Sequence, residues 1–268
     1  ANSKWTMAGS LDVGNSGTGA LMIQEGGKVS NANGTVGTST GSNGAATVDE
    51  GLELCDLAAK AGTAILFATP HVWPHLPMTE SRERSVRRAF EQLRGRATLD
   101  LRLGFELTPA PPLLLEDPGR YALEGTRHVL VEVPFSGPEH ELTALAEHIE
   151  DTGLVPLIAH PERTEAVRAR PELAHELADR WPLQVNATSI VGRHGVEAEE
   201  LAWRLLEAGD VAVVASDGHR LTRPARIDEA YELVSSKVGE EAALVLFDGS
   251  ALGLSARPTP SRAALRDA

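Results

Sequence analysis

The chain has a single cysteine, Cys55, in 268 residues, so an internal disulfide framework is excluded. Cys55 is not a phosphate-loop nucleophile either. The Cys-x5-Arg loop needs arginine at position 61, where Ala61 stands; Cys55 reads instead as a residue packed in a helix core. No apolar run approaches the ~20 residues of a membrane span, and no basic start with an apolar centre marks a signal peptide. Positive charge is scarce: 25 Lys and Arg face 38 Asp and Glu, a formal charge of −13. That balance argues against nucleic acid or an anionic membrane as partner. Residues 1–47 contain no histidine and no proline, and Lys4 and Lys28 offset Asp12 and Glu25 there. The first histidine of the chain is His71.

What is present is a recurring pattern. Val211 to Ala215 is a run of small and β-branched residues that reads as a strand buried on both faces, and it ends in Ser216-Asp217-Gly218-His219. Asp-x-His at the carboxyl end of a strand places a carboxylate and an imidazole within reach of one divalent ion. The same grammar recurs at Thr63 to Pro70 before His71, at Leu99 to Gly104 before Phe105-Glu106, and at Val155 to Ala159 before His160-Pro161-Glu162-Arg163. His128 to Val133 carries Glu132, and Leu183 to Ala187 is a further short apolar run. Six parallel strands are expected over 63–69, 99–106, 128–134, 155–160, 183–187 and 211–216, with their ligand-bearing ends on one rim of a barrel. Between them lie four amphipathic stripes at i, i+3, i+4, i+7 spacing: Leu54 to Ala61, Val86 to Leu93, Leu142 to Ile149 and Ala198 to Leu205. Alternating strands and helices imply right-handed βα units. Ala242 to Phe247 reads as a final helix, and residues 256–268, with Pro258 and Pro260, as a disordered tail.

Residues 1–47 follow a different grammar. Val13-Gly14-Asn15-Ser16 returns as Val36-Gly37-Thr38-Ser39, and Gly19 to Ile23 returns loosely as Gly44 to Val48. A repeat of about 20–25 residues with short apolar strands between glycine turns suggests rungs of a β-solenoid. This stretch resembles the passenger repeats of secreted bacterial autotransporters over about two rungs. The junction reads at Gly44 to Val48, as a fused or mis-joined segment first, with a natural chain whose first element has been replaced as the alternative.

From residue 48 to 255 the motifs are Ala68-Thr-Pro-His71, Gly104-Phe-Glu-Leu107, Ile158-Ala-His-Pro-Glu-Arg163, Asn186-Ala-Thr-Ser189 with Gly192-Arg-His-Gly195, and Ala215-Ser-Asp-Gly-His219 with Arg223-Pro224. In that order they resemble the bacterial tyrosine-protein phosphatases of the polymerase-and-histidinol-phosphatase (PHP) superfamily, of the capsule and exopolysaccharide type. The resemblance implies an α/β fold: a distorted (β/α)7 TIM-like barrel with its first strand replaced here by the Gly/Ser-rich β-solenoid-like segment. It implies a metal-dependent phosphomonoester hydrolase, with His71, Glu106, His160, Asp217 and His219 as metal ligands and Arg163 and Arg223 holding the phosphate. It also implies divalent ions, manganese first, two or three in a complete family member and fewer here. The substrate would be a phosphotyrosine protein such as a tyrosine kinase of polysaccharide synthesis. A cytoplasmic location follows for the phosphatase part, whereas the N-terminal segment resembles secreted proteins.

The residue chemistry agrees: divalent ions activate water and screen a phosphate dianion, and guanidinium forks match phosphate oxygens. Glu132 reads as a buried acid near the site rather than a ligand, and His75, His128 and His194 as structural or solvent-facing. One departure stands out. Family members open with a strand carrying Asp-x-His-x-His, and nothing before His71 supplies those imidazoles, so impaired activity is expected. Two other functions fit the same residues: a PHP phosphoesterase acting on a small monoester such as histidinol phosphate, and a non-catalytic surface protein.

Overall fold

The computed structural model describes residues 45–134 and 139–254, with four short strands before them. The expected tail at 256–268 lies outside the described residues, as does most of the expected solenoid-like segment. In chain order the elements are β1 (Lys4–Thr6), β2 (Ser10–Val13), β3 (Lys28–Ser30), β4 (Asn33–Val36), α1 (Ala45–Lys60), β5 (Ile65–Ala68), β6 (His71–Val72), α2 (Glu80–Arg94), β7 (Asp100–Leu103), β8 (Glu106–Leu107), β9 (His128–Glu132), α3 (Glu139–Asp151), β10 (Val155–Ala159), α4 (Glu165–Ala169), α5 (Glu172–Ala178), β11 (Leu183–Asn186), α6 (Ala187–Ile190), α7 (Val196–Ala208), β12 (Val211–Ala215), α8 (Asp228–Val238) and α9 (Glu240–Phe247).

The chain falls into two compact units. The first takes residues 1–53 and 75–96. Here β1 pairs parallel with β3, Lys4 opposite Lys28, and β2 pairs parallel with β4, Ser10 opposite Asn33. Helix α2 starts at an N-cap, the Thr79 hydroxyl accepting from the Arg82 amide. Within this unit Gly51 of α1 faces Leu93 of α2, and Asp49 pairs with Arg96 at 3.2 Å.

The second unit takes residues 54–74 and 97–268 and carries the main sheet, ordered β12-β11-β10-β9-β8-β6. Every neighbouring pair is parallel. The β5–β7 pair continues the β6–β8 pair in one register, Ile65 against Asp100 and His71 against Glu106. Each of these two strands is thus one strand interrupted before its last residues, by Thr69-Pro70 and by Gly104-Phe105. The reason is local: Pro70 has no N–H to give the ladder, although the Gly104 amide still makes its ladder bond to the Ala68 carbonyl at 2.9 Å. Strands therefore follow chain order across the sheet, and no ladder joins β6 to β12 among the described residues.

The two faces of the sheet differ. One carries Leu130, Leu157, Ala159 and Val213, packed with Leu123, Leu252, Phe67 and Leu254. The other faces helices: α3 packs on β9 and β10, and its expected stripe Leu142, Leu145, Ala146 and Ile149 is buried throughout. The stripe of α7 is likewise buried, and the helix stops at Gly209, whose φ of 80° is the left-handed cap position that glycine adopts without strain. Each fully buried Leu or Ile contributes about 1.5–3 kcal/mol, so these stripes hold the strands that carry the site.

Candidate active site

The carboxylates and imidazoles of the site stand at the carboxyl ends of parallel strands or within a few residues beyond them. On β9, Leu130 and Glu132 share a face, so a strand that fills the core with leucine ends in a buried acid. Two turns are strained. His160 (φ 37°) and Asp217 (φ 48°) are the non-glycine residues with positive φ among the described ones, a conformation that costs about 1–3 kcal/mol each. Both turn a side chain inward immediately after a strand.

Glu106 is the centre of one half of the site. It is buried, with Oε1 2.8 Å from His160 Nε2 and Oε2 3.5 Å from His71 Nδ1. His71 stacks on Trp73 with ring centroids 4.6 Å apart, and its Nε2 lies 3.4 Å from Nε2 of His219. Glu132 accepts a hydrogen bond from the Thr108 hydroxyl, and burial raises its pKa above the usual carboxylate range. Burial works against charging His160. The hydrogen bond and charge of Glu106, with the charges of Asp217 and Glu162, outweigh it and raise the His160 pKa.

Asp217 is the centre of the other half. Its Oδ2 accepts from Arg163 Nη1 at 2.7 Å and from Asn186 Nδ2 at 2.8 Å, and lies 3.3 Å from Arg223 Nη2. Its Oδ1 is 3.2 Å from His219 Nδ1. Burial raises the pKa of this carboxyl, but His160, His219, Arg223 and Arg163 together hold it below the ordinary value. A tight loop brings Arg223 back beside His219: the His219 amide donates to the Arg223 carbonyl at 3.0 Å, and the Arg223 amide to that of Arg220 at 2.8 Å. Gly218 makes this loop possible, since a Cβ there would stand 2.6 Å from the backbone of Ala225.

Donor atoms meet in two groups suited to a metal, His71–Glu106–Glu132 and Glu106–His160–Asp217, each with its ligand atoms within 4.8 Å of one another. Three nitrogen and carboxylate donors are a set that a catalytic divalent ion takes from a protein. The donor set fits such an ion, and Glu106 is common to both groups.

A sequence profile for capsular polysaccharide synthesis proteins of the CpsB/CapC type matches residues 41–252. The chain belongs to that family. Among its relatives, tyrosine-protein phosphatase YwqE of Bacillus subtilis is 26% identical over 220 residues, spanning 78% of this chain and 85% of that protein. Tyrosine-protein phosphatase CpsB of Streptococcus agalactiae is 25% identical over 219 residues, spanning 76% and 89%. A chain from the crystal structures of YwqE from Bacillus subtilis and CpsB from Streptococcus pneumoniae, metal-dependent tyrosine phosphatases, matches with a TM-score of 0.66 at 25% identity. It covers 74% of this chain and 83% of that one.

On this CpsB/CapC chain the five expected ligands and two expected arginines lie on the same rim. His219 touches His71 and Asp217 but joins neither three-donor group. Glu132, expected only as a neighbour, stands in one of them; its signal was the acid ending an otherwise apolar strand. Arg163 pairs with Asp217, while Glu162 is fully buried and receives the Asn186 amide and the Ser189 hydroxyl. His75 is exposed and His128 sits at the opposite end of β9 from Glu132. His194, expected as structural or solvent-facing, lies 2.9 Å from Ser189 Oγ, within the electrostatic reach of both arginines.

Proposed function

We propose that this chain is a metal-dependent phosphomonoesterase of the protein-tyrosine-phosphatase type. It would act on phosphotyrosine in a protein of capsular or exopolysaccharide synthesis, such as a tyrosine kinase, in the cytoplasm. The observation that carries the reading is the pairing of Arg163 and Arg223 on one carboxylate, Asp217, that also belongs to a three-donor metal group. Cation-binding and anion-binding groups share one rim, as phosphate ester hydrolysis requires.

In this reading His71, Glu106, Glu132, His160, Asp217 and His219 hold divalent ions, with manganese the first candidate. When bound, such ions would activate water near neutral pH and screen the phosphate charge. Arg163 and Arg223 bind the phosphoryl oxygens through guanidinium forks and hold the phosphorus in line. Asn186 and Arg163 fix the Asp217 carboxylate, and Trp73 steadies the His71 ring by stacking.

We further read residues 48–255 as the phosphatase domain, a PHP-type barrel lacking its first strand. Three features support this: the chain-ordered parallel sheet, the core running from Phe67 to Val213, and the approach of His71 to His219. Residues 1–47 read as a separate β-solenoid-like segment of secreted type, joined by fusion; the parallel β1–β3 and β2–β4 offsets, both inside the expected repeat length, support it. Because residues 1–70 hold no histidine, this stretch of chain would leave the metal complement incomplete and turnover impaired.

The test is hydrolysis of a phosphotyrosine peptide and of histidinol phosphate with added manganese. The chain is compared with a version whose residues 1–47 are replaced by a strand carrying Asp-x-His-x-His. Each 1.4 kcal/mol regained at the transition state is about tenfold in rate, and a gain of about a thousandfold on the peptide is expected. Equal rates reject the impairment, and a preference for histidinol phosphate rejects the substrate class.

A further inference from the structure

Behind the two arginines runs a hydrogen-bonded chain that the proposed function leaves unused. Glu162 is fully buried; its Oε1 accepts from the Asn186 amide at 3.1 Å and from Ser189 Oγ at 2.7 Å. Ser189 has one hydroxyl hydrogen, and it points to Glu162. The 2.9 Å contact between Ser189 Oγ and His194 Nδ1 is therefore made by the imidazole N–H. This selects the neutral tautomer with its hydrogen on Nδ1 and a bare Nε2. The ring is partly exposed, and the hydrogen-free Nε2 lies against the Thr188 hydroxyl, a group that can turn to accept once the nitrogen is protonated.

The groups acting on the ring come from every surrounding element. They are Arg163 from the turn after β10, Arg223 and Asp217 from the segment after β12, and His160 at the end of β10. Glu162 stands behind Ser189, and the Thr188 hydroxyl oxygen lies 3.3 Å from Nε2.

We propose that His194 is a proton-gated third cation of the anion site. When a tetrahedral dianion settles against Arg163 and Arg223, His194 takes up one proton at Nε2 and helps to hold the anion. The inference rests on the reading of those arginines as the phosphate-binding pair. Without the anion, burial and the two guanidiniums lower the imidazole pKa to about 4, so the ring is neutral at neutral pH. A dianion cancels both neighbouring charges and leaves the imidazolium beside a negative group, which favours protonation. The only bond formed is N–H, and the proton comes from buffer. Linkage is reciprocal, so acid must tighten anion binding.

The probe is inorganic sulfate, a tetrahedral dianion that does not itself titrate in this range. The full chain is titrated calorimetrically near pH 5.5 in two buffers of different ionisation enthalpy, which counts protons taken up per sulfate. The wild type is expected to take up close to one proton, and its sulfate affinity to rise by up to about tenfold per pH unit on acidification. His194→Gln is expected to bind sulfate with little uptake and a flat pH dependence. Sulfate binding by the wild type without proton uptake overturns the proposal and leaves the arginine reading standing; that result needs no variant. Uptake in His194→Gln equal to wild type assigns the proton to another imidazole and also overturns it. If wild type binds no sulfate at all, the arginine reading falls and this inference with it.

Discussion

Glu106 is a buried and Asp217 a half-buried carboxylate on one rim, and their neighbours differ in kind. Glu106 faces imidazoles, His160 at 2.8 Å and His71 at 3.5 Å. Asp217 faces two guanidiniums, Arg163 at 2.7 Å and Arg223 at 3.3 Å, beside the single imidazole of His219 at 3.2 Å. An imidazole can lose its proton and turn its lone pair to a metal, whereas a guanidinium stays charged in any protein. The Glu106 half is thus built to recruit cations. The Asp217 half can give its carboxylate to a cation while its arginines remain available to an anion.

The largest effect should come from breaking the first half. Glu106 belongs to both three-donor groups, so Glu106→Gln is expected to weaken manganese binding by about a hundredfold or more, beyond what loss of an outer-shell partner costs. Direct metal titration checks it, and an unchanged affinity would remove Glu106 from the metal site. Breaking the second half should act on the other ligand. Arg163→Lys and Arg223→Lys keep the charge but lose the fork. Each is expected to weaken sulfate or phosphate binding by roughly 1.5–3 kcal/mol, the worth of a charged hydrogen bond. Manganese affinity should hold or improve. Parallel losses of metal and anion in these variants would dissolve the distinction between the halves. A smaller effect is expected from Gly218→Ala. The added methyl would press on the Ala225 backbone, and overpacking of this kind costs about 1–3 kcal/mol. Denaturant unfolding would read that loss, and a wild-type midpoint would show that the loop yields freely.

The rim was legible because its residues are local events in sequence. An apolar run that stops at His160 or Asp217 announces both strand and ligand, and the buried stripes of α3 and α7 follow from helical periodicity alone. What sequence spacing could not carry is the company each side chain keeps. Nothing adjacent to Arg163 indicates Asp217, fifty-four positions on. Glu132 was undervalued for the same reason: its neighbours His71 and Glu106 reach it only through strand register. The breaks before β6 and β8 were likewise invisible, since the expected strands ran through Thr69 and Gly104 without interruption. Helix α1 begins at Ala45, within the stretch where composition alone suggested a junction.

The smallest expected effect sharpens the comparison through pH. His160 has a pKa raised above its ordinary 6.5, so the stability it contributes is fully present below about pH 6.5 and is lost as pH rises through the higher folded value. Asp217 has a pKa lowered beneath its ordinary 3.8. Its contribution is present above about pH 3.8 and is lost as pH falls through the lower folded value. In chelator-treated protein the two contributions therefore coexist between those limits, and stability should decline on each side for a different reason. Glu106→Gln removes the hydrogen-bonded charge that raises His160, so it should flatten the alkaline decline and leave the acid decline in place. Arg163→Gln removes one cation that holds Asp217 ionised and should move only the acid decline to higher pH. Unfolding midpoints measured across pH for the three proteins separate these effects. If both variants shifted the same flank, His160 and Asp217 would be titrating as one cluster, and the division of the rim into a cation half and an anion half would have to be given up.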